Sequence, residues 1–237
     1  MLLYFLRHGD PIYHPDSLTP RGHLQAQALA KRLARYGLDE LYASPMVRAQ
    51  QTAAPTAELL QKEIVTLDWT SEDLIWADFS IHDRDGKRRM IQYSSRLAEL
   101  RRASVTARGA CWHEDDLFSD VNASAGFARV QRESDAFLAA HGYEHDPENG
   151  RYIVRAANDK RIAVFCHASF GRAWLAAMLD IPLPAAWATM DIGHSSMTVV
   201  EFADEGGLCL PKLLTMCNDA HLYAEGLPTK YNNRVYF

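Results

Sequence analysis

A histidine set between an arginine and a glycine has the makings of a phosphoryl-transfer nucleophile, and Arg7-His8-Gly9 is such a triplet. Near neutral pH an imidazole is largely uncharged, so one ring nitrogen can attack phosphorus while the other keeps its proton and is held by a hydrogen bond. Arg7 adds a planar, permanently charged fork that suits phosphate oxygens. A second histidine followed by small residues occurs at His167-Ala168-Ser169. Arg48 falls in the first turn of an expected helix, where free backbone N–H groups and the positive end of the dipole favour an anion. An arginine there opposes the dipole unless a negative charge faces it, so its position points to a bound anion; the plainer reading is a surface ion pair. Glu72 and Asp73 follow a short apolar run. A carboxyl group leaving a buried strand end can have its pKa raised by desolvation and act as a general acid, although both residues could equally cap a helix.

These groups need elements to hold them. Leu2 to Leu6 is an apolar run of the kind found in a buried parallel strand, and its change of chemistry at Arg7-His8 lies where open α/β sheets bind ligands. Asp10 to Asp16, with two prolines, reads as a polar loop forming one wall of the site. Thr19-Pro20 is an N-cap and first-turn proline, and Leu24, Ala28, Leu29, Leu33 and Tyr36 recur at helical spacing as far as Gly37. Glu40–Ala43 is a second strand, and Ser44-Pro45 opens a second helix by the same device, with Pro55 expected to kink it. Ile64 to Leu67 is a third strand. Ala125 to Ala140 is amphipathic, and Asn158-Asp159 suggests a hairpin between Tyr152–Arg155 and Arg161–Cys166. Strand Ile162–Cys166 then runs into His167 and a helix carrying Phe170, Trp174 and Met178. Ser195–Ala203 and Leu208–Met216 read as two last strands around Gly206-Gly207.

The segment from about 81 to 124 fits this rhythm poorly. It is crowded with Arg84, Lys87, Arg88, Arg89, Arg96, Arg101, Arg102 and Arg108, and a long connection of this kind is usually a lid or binding segment. Some of these cations are expected to face substrate; the alternative is a solvated helix face.

The 237 residues, 48% hydrophobic, suffice for one large domain spanning 1–237 with that insertion. A net charge of −5 argues against a nucleic-acid partner, so attraction for an anion must be local. Cys111, Cys166, Cys209 and Cys217 form no metal or disulfide spacing, which with the lack of a signal peptide or membrane span suggests a cytoplasmic protein with reduced thiols. A homodimer is left open.

Five stretches in order, L-R-H-G, L-T-P-R-G-H, S-P-M-V-R-A-Q-Q-T-A, F-C-H-A-S-F-G and N-D-A-H-L, resemble the histidine phosphatase superfamily, in its phosphoglycerate-mutase-like branch. The resemblance implies a three-layer α/β/α sandwich with a mostly parallel sheet. It implies that His8 is the nucleophile and that Arg7, Arg48 and His167 bind the phosphoryl oxygens, with backbone N–H groups from Ala168 onward assisting. Glu72 would be the proton donor, although the glycine-containing stretch that usually follows is replaced by Leu74-Ile75-Trp76-Ala77, which keeps Asp73 and Asp78 as substitutes. No cofactor or metal is implied, since two arginines and a histidine can neutralise the transferring group. The small phosphorylated substrate would be hydrolysed: family mutases commonly carry an asparagine where this chain has His14, and Asp10 is a further departure. A mutase gripping a second acid group with the 84–108 segment, and a non-catalytic phospho-ligand binder on the same fold, are the alternatives.

Overall fold

The computed structural model describes residues 1–229. Its centre is a six-stranded sheet built from β1 (Leu2–Arg7), β2 (Glu40–Ala43), β3 (Ile64–Thr66), β4 (Arg161–Cys166), β5 (Met197–Glu201) and β6 (Lys212–Asn218), in the order β6-β5-β1-β4-β2-β3. Strands β1, β4, β2 and β3 run parallel, whereas β5 is antiparallel to β1 and β6 to β5. The chain leaves β1 for β2, and β4 later fills the gap between them. Both β1 and β4 therefore end at the same cleft, Arg7 opposite Cys166, which is where a doubly wound sheet binds ligands.

Both faces of the sheet are covered, which is why β1 reads as an unbroken apolar run. Leu3 and Phe5 point into the larger core, with α3 (Glu72–Phe79), α4 (Ala123–Ala140), α5 (Ala168–Met178) and α6 (Leu183–Thr189). Tyr4 and Leu6 point the other way, against α1 (Pro20–Tyr36) and α2 (Val47–Leu60). The three-layer sandwich expected from the resemblance is present.

Two motif glycines are explained by close approach. A Cβ at Gly22 would lie 2.3 Å from the Asp10 carbonyl oxygen, and one at Gly171 only 2.0 Å from the Phe5 ring. The first lets the start of α1 lie against the loop after His8; the second lets α5 sit directly on β1.

Several expectations are corrected. Helix α1 begins and ends as expected, with Thr19 Oγ1 accepting from Gly22 N–H at 3.0 Å, but its buried face is Gly22, Gln25, Ala26, Ala28, Leu29, Ala30 and Leu33, and Leu24 is exposed. Helix α2 starts at Val47 without a side-chain cap, because the Ser44 hydroxyl is turned elsewhere, and it runs through Pro55 to Leu60. Pro11–Ile12 is not plain loop but pairs with Ser17–Leu18. Arg151–Val154 pairs with Tyr143–Asp146 and with Leu208–Cys209, not with β4, so the hairpin at Asn158-Asp159 does not form. Leu208–Cys209 is accordingly separate from β6.

The basic segment also differs from expectation. Ser80–His82 pairs with Arg88–Met90, and short helical turns follow. Ile81, Met90, Ile91, Leu100, Val105, Trp112, Leu117 and Phe118 are buried in the same core as Phe5 and Trp174. Five of its arginines face its own acids: Arg84 and Arg96 bind Glu99, Arg89 binds Asp83 and Asp85, Arg102 binds Asp115 and Asp116, and Arg108 binds Glu114. Arg88 donates to the Ser80 carbonyl.

Candidate active site

The His8 backbone is clamped from the end of β4 and from the turn before β5. Its N–H donates to the Cys166 carbonyl at 2.9 Å, and its carbonyl accepts from Ser195 N–H at 3.0 Å. The buried ring places Nδ1 at 2.7 Å from the Gly9 carbonyl oxygen. That oxygen can only accept, so Nδ1 carries the proton and Nε2 keeps its lone pair. Burial pushes the His8 pKa well below the usual histidine value, and His167, Arg7 and His194 push it further. A buried neutral imidazole with its free nitrogen selected by a backbone carbonyl is suited to nucleophilic attack.

Arg7 is also buried; its Nη2 lies 2.7 Å from His194 Nε2. At the end of β4, His167 stands at the start of α5 with its ring centroid 5.2 Å from that of His8. Its Nε2 is 2.7 Å from Ser44 Oγ, and Nδ1 is buried without a protein partner. Burial, then Arg48 and Arg7, hold His167 well below the usual histidine pKa.

Arg48 lies buried in the first turn of α2. The negative charge its position calls for is supplied by the chain: Asp16 accepts from Arg48 Nη1 and from Val47 N–H, both at 2.8 Å. The same guanidinium lies over the Tyr13 ring, 5.5 Å from its centroid.

Glu72 opens α3 and is buried against the start of α5, where its carboxylate accepts from the N–H groups of Ser169 and Phe170, both at 3.3 Å. Burial raises its pKa, and the two hydrogen bonds with Arg7 and Arg48 only partly oppose this. The amides of Ser169 and Phe170, expected to assist phosphate binding, are thus engaged by Glu72. Asp73 lines the same cavity, whereas Asp78 is paired with Arg129 at 2.8 Å and is not part of the site.

Arg7, His8, Arg48, Glu72 and Ala168 line one cavity of about 780 Å³, and the His167 ring packs beside that of His8. The expected cations of the 84–108 segment do not line it; from that stretch the cavity receives Tyr93. His194, Ser44, Trp76 and Tyr93 were not foreseen as site residues. His194 precedes β5, and the only available signal was a histidine at the end of a strand that neighbours β1. Ser44 gave the signal of a helix cap, which hid its contact with His167. Among the described residues no group of three or more His, Cys, Asp or Glu side chains is placed to hold a metal ion.

The sequence model of the histidine phosphatase superfamily (branch 1) matches residues 3–73. No curated protein matches the chain significantly. Among solved structures, phosphoserine phosphatase from Entamoeba histolytica in complex with 3-phosphoglyceric acid superposes with a TM-score of 0.59 at 18% identity, covering 93% of this chain and 98% of that one. Mycobacterial glucosyl-3-phosphoglycerate phosphatase with inorganic phosphate gives 0.59 at 20% identity, covering 93% and 98%. The alpha-ribazole phosphatase from Shigella flexneri gives 0.60 at 18%, covering 92% and 97%. At these identities the likeness is one of fold.

Proposed function

Because residues 3–73 match the sequence model of the histidine phosphatase superfamily, we propose that this chain is a phosphomonoester hydrolase acting through a phosphohistidine at His8. The observation that supports this most is the Nδ1 to Gly9 carbonyl hydrogen bond, which leaves Nε2 as the free nitrogen of a ring kept neutral by burial.

In the first step Nε2 forms a bond to phosphorus and the bond from phosphorus to the ester oxygen breaks. Glu72, whose raised pKa favours the acid form, gives its proton to the departing alkoxide. In the second step a water oxygen bonds to phosphorus, Glu72 takes its proton, and the P–N bond breaks to return a neutral His8. Arg7 and Arg48 balance the charge on the equatorial oxygens and the neutral His167 offers them a hydrogen bond from Nδ1, which has no protein partner; all three are positioned before substrate arrives, so little reorganisation accompanies the reaction. Hydrolysis is favoured over mutase chemistry because, among the described residues, no arginine or lysine beyond Arg7 and Arg48 lines the cavity to retain a second acid group. A cytoplasmic setting is supported by four free thiols. No helix of the described residues is long and apolar enough to cross a membrane.

Base-quenched intact-mass spectrometry during turnover of an aryl phosphate should show one phosphoryl adduct, absent in His8→Ala. That variant should lose about 10³-fold or more in kcat. Retained activity in His8→Ala would exclude the intermediate.

A further inference from the structure

Resting on the phosphomonoesterase reading, we propose that the mouth of this cavity selects esters with a single phosphate on an alcohol that carries a flat aromatic ring, and that Trp76 and Tyr93 make the selection. Tyr13, Trp76 and Tyr93 all line the cavity that contains His8, yet they remain 56, 41 and 44% exposed. Large aromatic surface left open inside a cleft is a surface on which another ring can stack.

Tyr93 is held in place. Tyr93 lies on the guanidinium of Arg172, 5.7 Å from its ring centroid, and that buried arginine is anchored to Asp191. The neighbouring Gln92 donates to Ser169 Oγ at 2.7 Å, which fastens this part of the inserted segment to the start of α5. Trp76 projects from α3 between Ile75 and Phe79, residues buried in the core. A stacking surface fixed in this way loses little conformational entropy when a ligand binds.

Charge supports the same substrate class. Among the described residues no arginine or lysine apart from Arg7 and Arg48 lines the cavity, whereas the carboxylates of Asp16 and Asp73 do. Asp16 is already paired with Arg48, so a second phosphate or a carboxylate on the leaving group would find no further guanidinium or ammonium among the described lining residues and would meet Asp73, an arrangement that disfavours it.

The test compares three alkyl esters, so that leaving-group acidity varies little: propyl phosphate, 2-(naphthyl)ethyl phosphate and 2-carboxyethyl phosphate. The expected order of kcat/KM is naphthylethyl, then propyl, then carboxyethyl, with the first gap on the order of tenfold or more and carried by KM. Trp76→Ala and Tyr93→Ala should each lose several times more on the naphthylethyl ester than on the propyl ester. Asp73→Asn should raise the carboxyethyl ester relative to the others. Equal kcat/KM for the naphthylethyl and propyl esters, or equal losses on both in the two aromatic variants, would overturn the proposal. Calorimetric binding of the matching phosphonates to the full chain separates it from the phosphatase reading. Preferential naphthylethyl binding without turnover of any ester would overturn hydrolysis and keep the ring selection; turnover without preference would do the reverse.

Discussion

Two opposing influences act on the proton of Glu72. The amides of Ser169 and Phe170 and the charges of Arg7 and Arg48 favour carboxylate, while burial favours the acid and prevails. A group balanced in this way can give a proton and take it back, as hydrolysis through an intermediate requires. Its contribution should depend on the leaving group, because an alkoxide needs the proton and a nitrophenolate does not. Glu72→Gln is expected to lower kcat/KM about 10²–10³-fold for an alkyl phosphate, with a much smaller loss for nitrophenyl phosphate. Steady-state rates on the two substrates check this, and equal losses would transfer the role to Asp73, the other carboxyl group of that helix turn in the cavity. Arg7, His8, Arg48 and Glu72 were legible in the sequence because each sits at a strand end or a first helical turn, where local pattern and chemistry coincide. His194 and Tyr93 were not, since they reach the cavity through tertiary packing and have no spacing relation to the other site residues. The arginines of 84–108 misled for a related reason: charge density shows in a sequence, but the partners that satisfy it do not.

Helix α5 has to lie close to β1 because it carries Ser169 and Phe170 to Glu72 and starts beside His167. The absent side chain at Gly171 permits that approach, since a Cβ there would lie only 2.0 Å from the tip of the Phe5 ring. Gly171→Ala should therefore destabilise the protein by about 1–3 kcal/mol through overpacking, and Phe5→Leu should recover part of that loss in the double variant. A urea-unfolding double-mutant cycle measures the coupling; strictly additive effects would show that the contact is not the cause. At this scale β1, β2, β4 and α1 could be read from local signals alone. The failed hairpin at Asn158-Asp159 shows where such signals end: the dipeptide is a good turn former, but Arg151–Val154 finds its partners in Tyr143–Asp146 and Leu208–Cys209, and nothing local distinguishes that pairing from the alternative.

Over the whole molecule, the fold maintains several imidazoles in their neutral form, and this links its stability to pH. His8 and His167 are held well below the usual pKa by burial in the site. His221, from the last of the five motifs, is buried with Nε2 at 3.1 Å from Ser195 Oγ, behind the turn whose N–H holds the His8 carbonyl, and burial lowers its pKa to about 4. In the unfolded chain each titrates near 6.5, so below that pH the unfolded state takes up protons that the folded state refuses, and stability falls as pH falls. For His221 the loss continues down to about pH 4. Glu72 acts in the opposite sense: its raised pKa lets the folded state bind a proton before the unfolded state does, which offsets up to one of the three. His145 is raised, chiefly by its hydrogen bond to Asp135, and its contribution is already complete below pH 6.5. The net expectation between pH 6 and 5 is a loss of stability as pH falls, measurable by urea unfolding at a series of pH values. His221→Gln keeps a polar group near Ser195 and removes one titrating ring, so its slope in that window should be shallower by about 1 kcal/mol per pH unit. Parallel slopes for the two proteins would mean that His221 is protonated in the fold, and that the Ser195 turn behind His8 is held by a charged ring and not a neutral one.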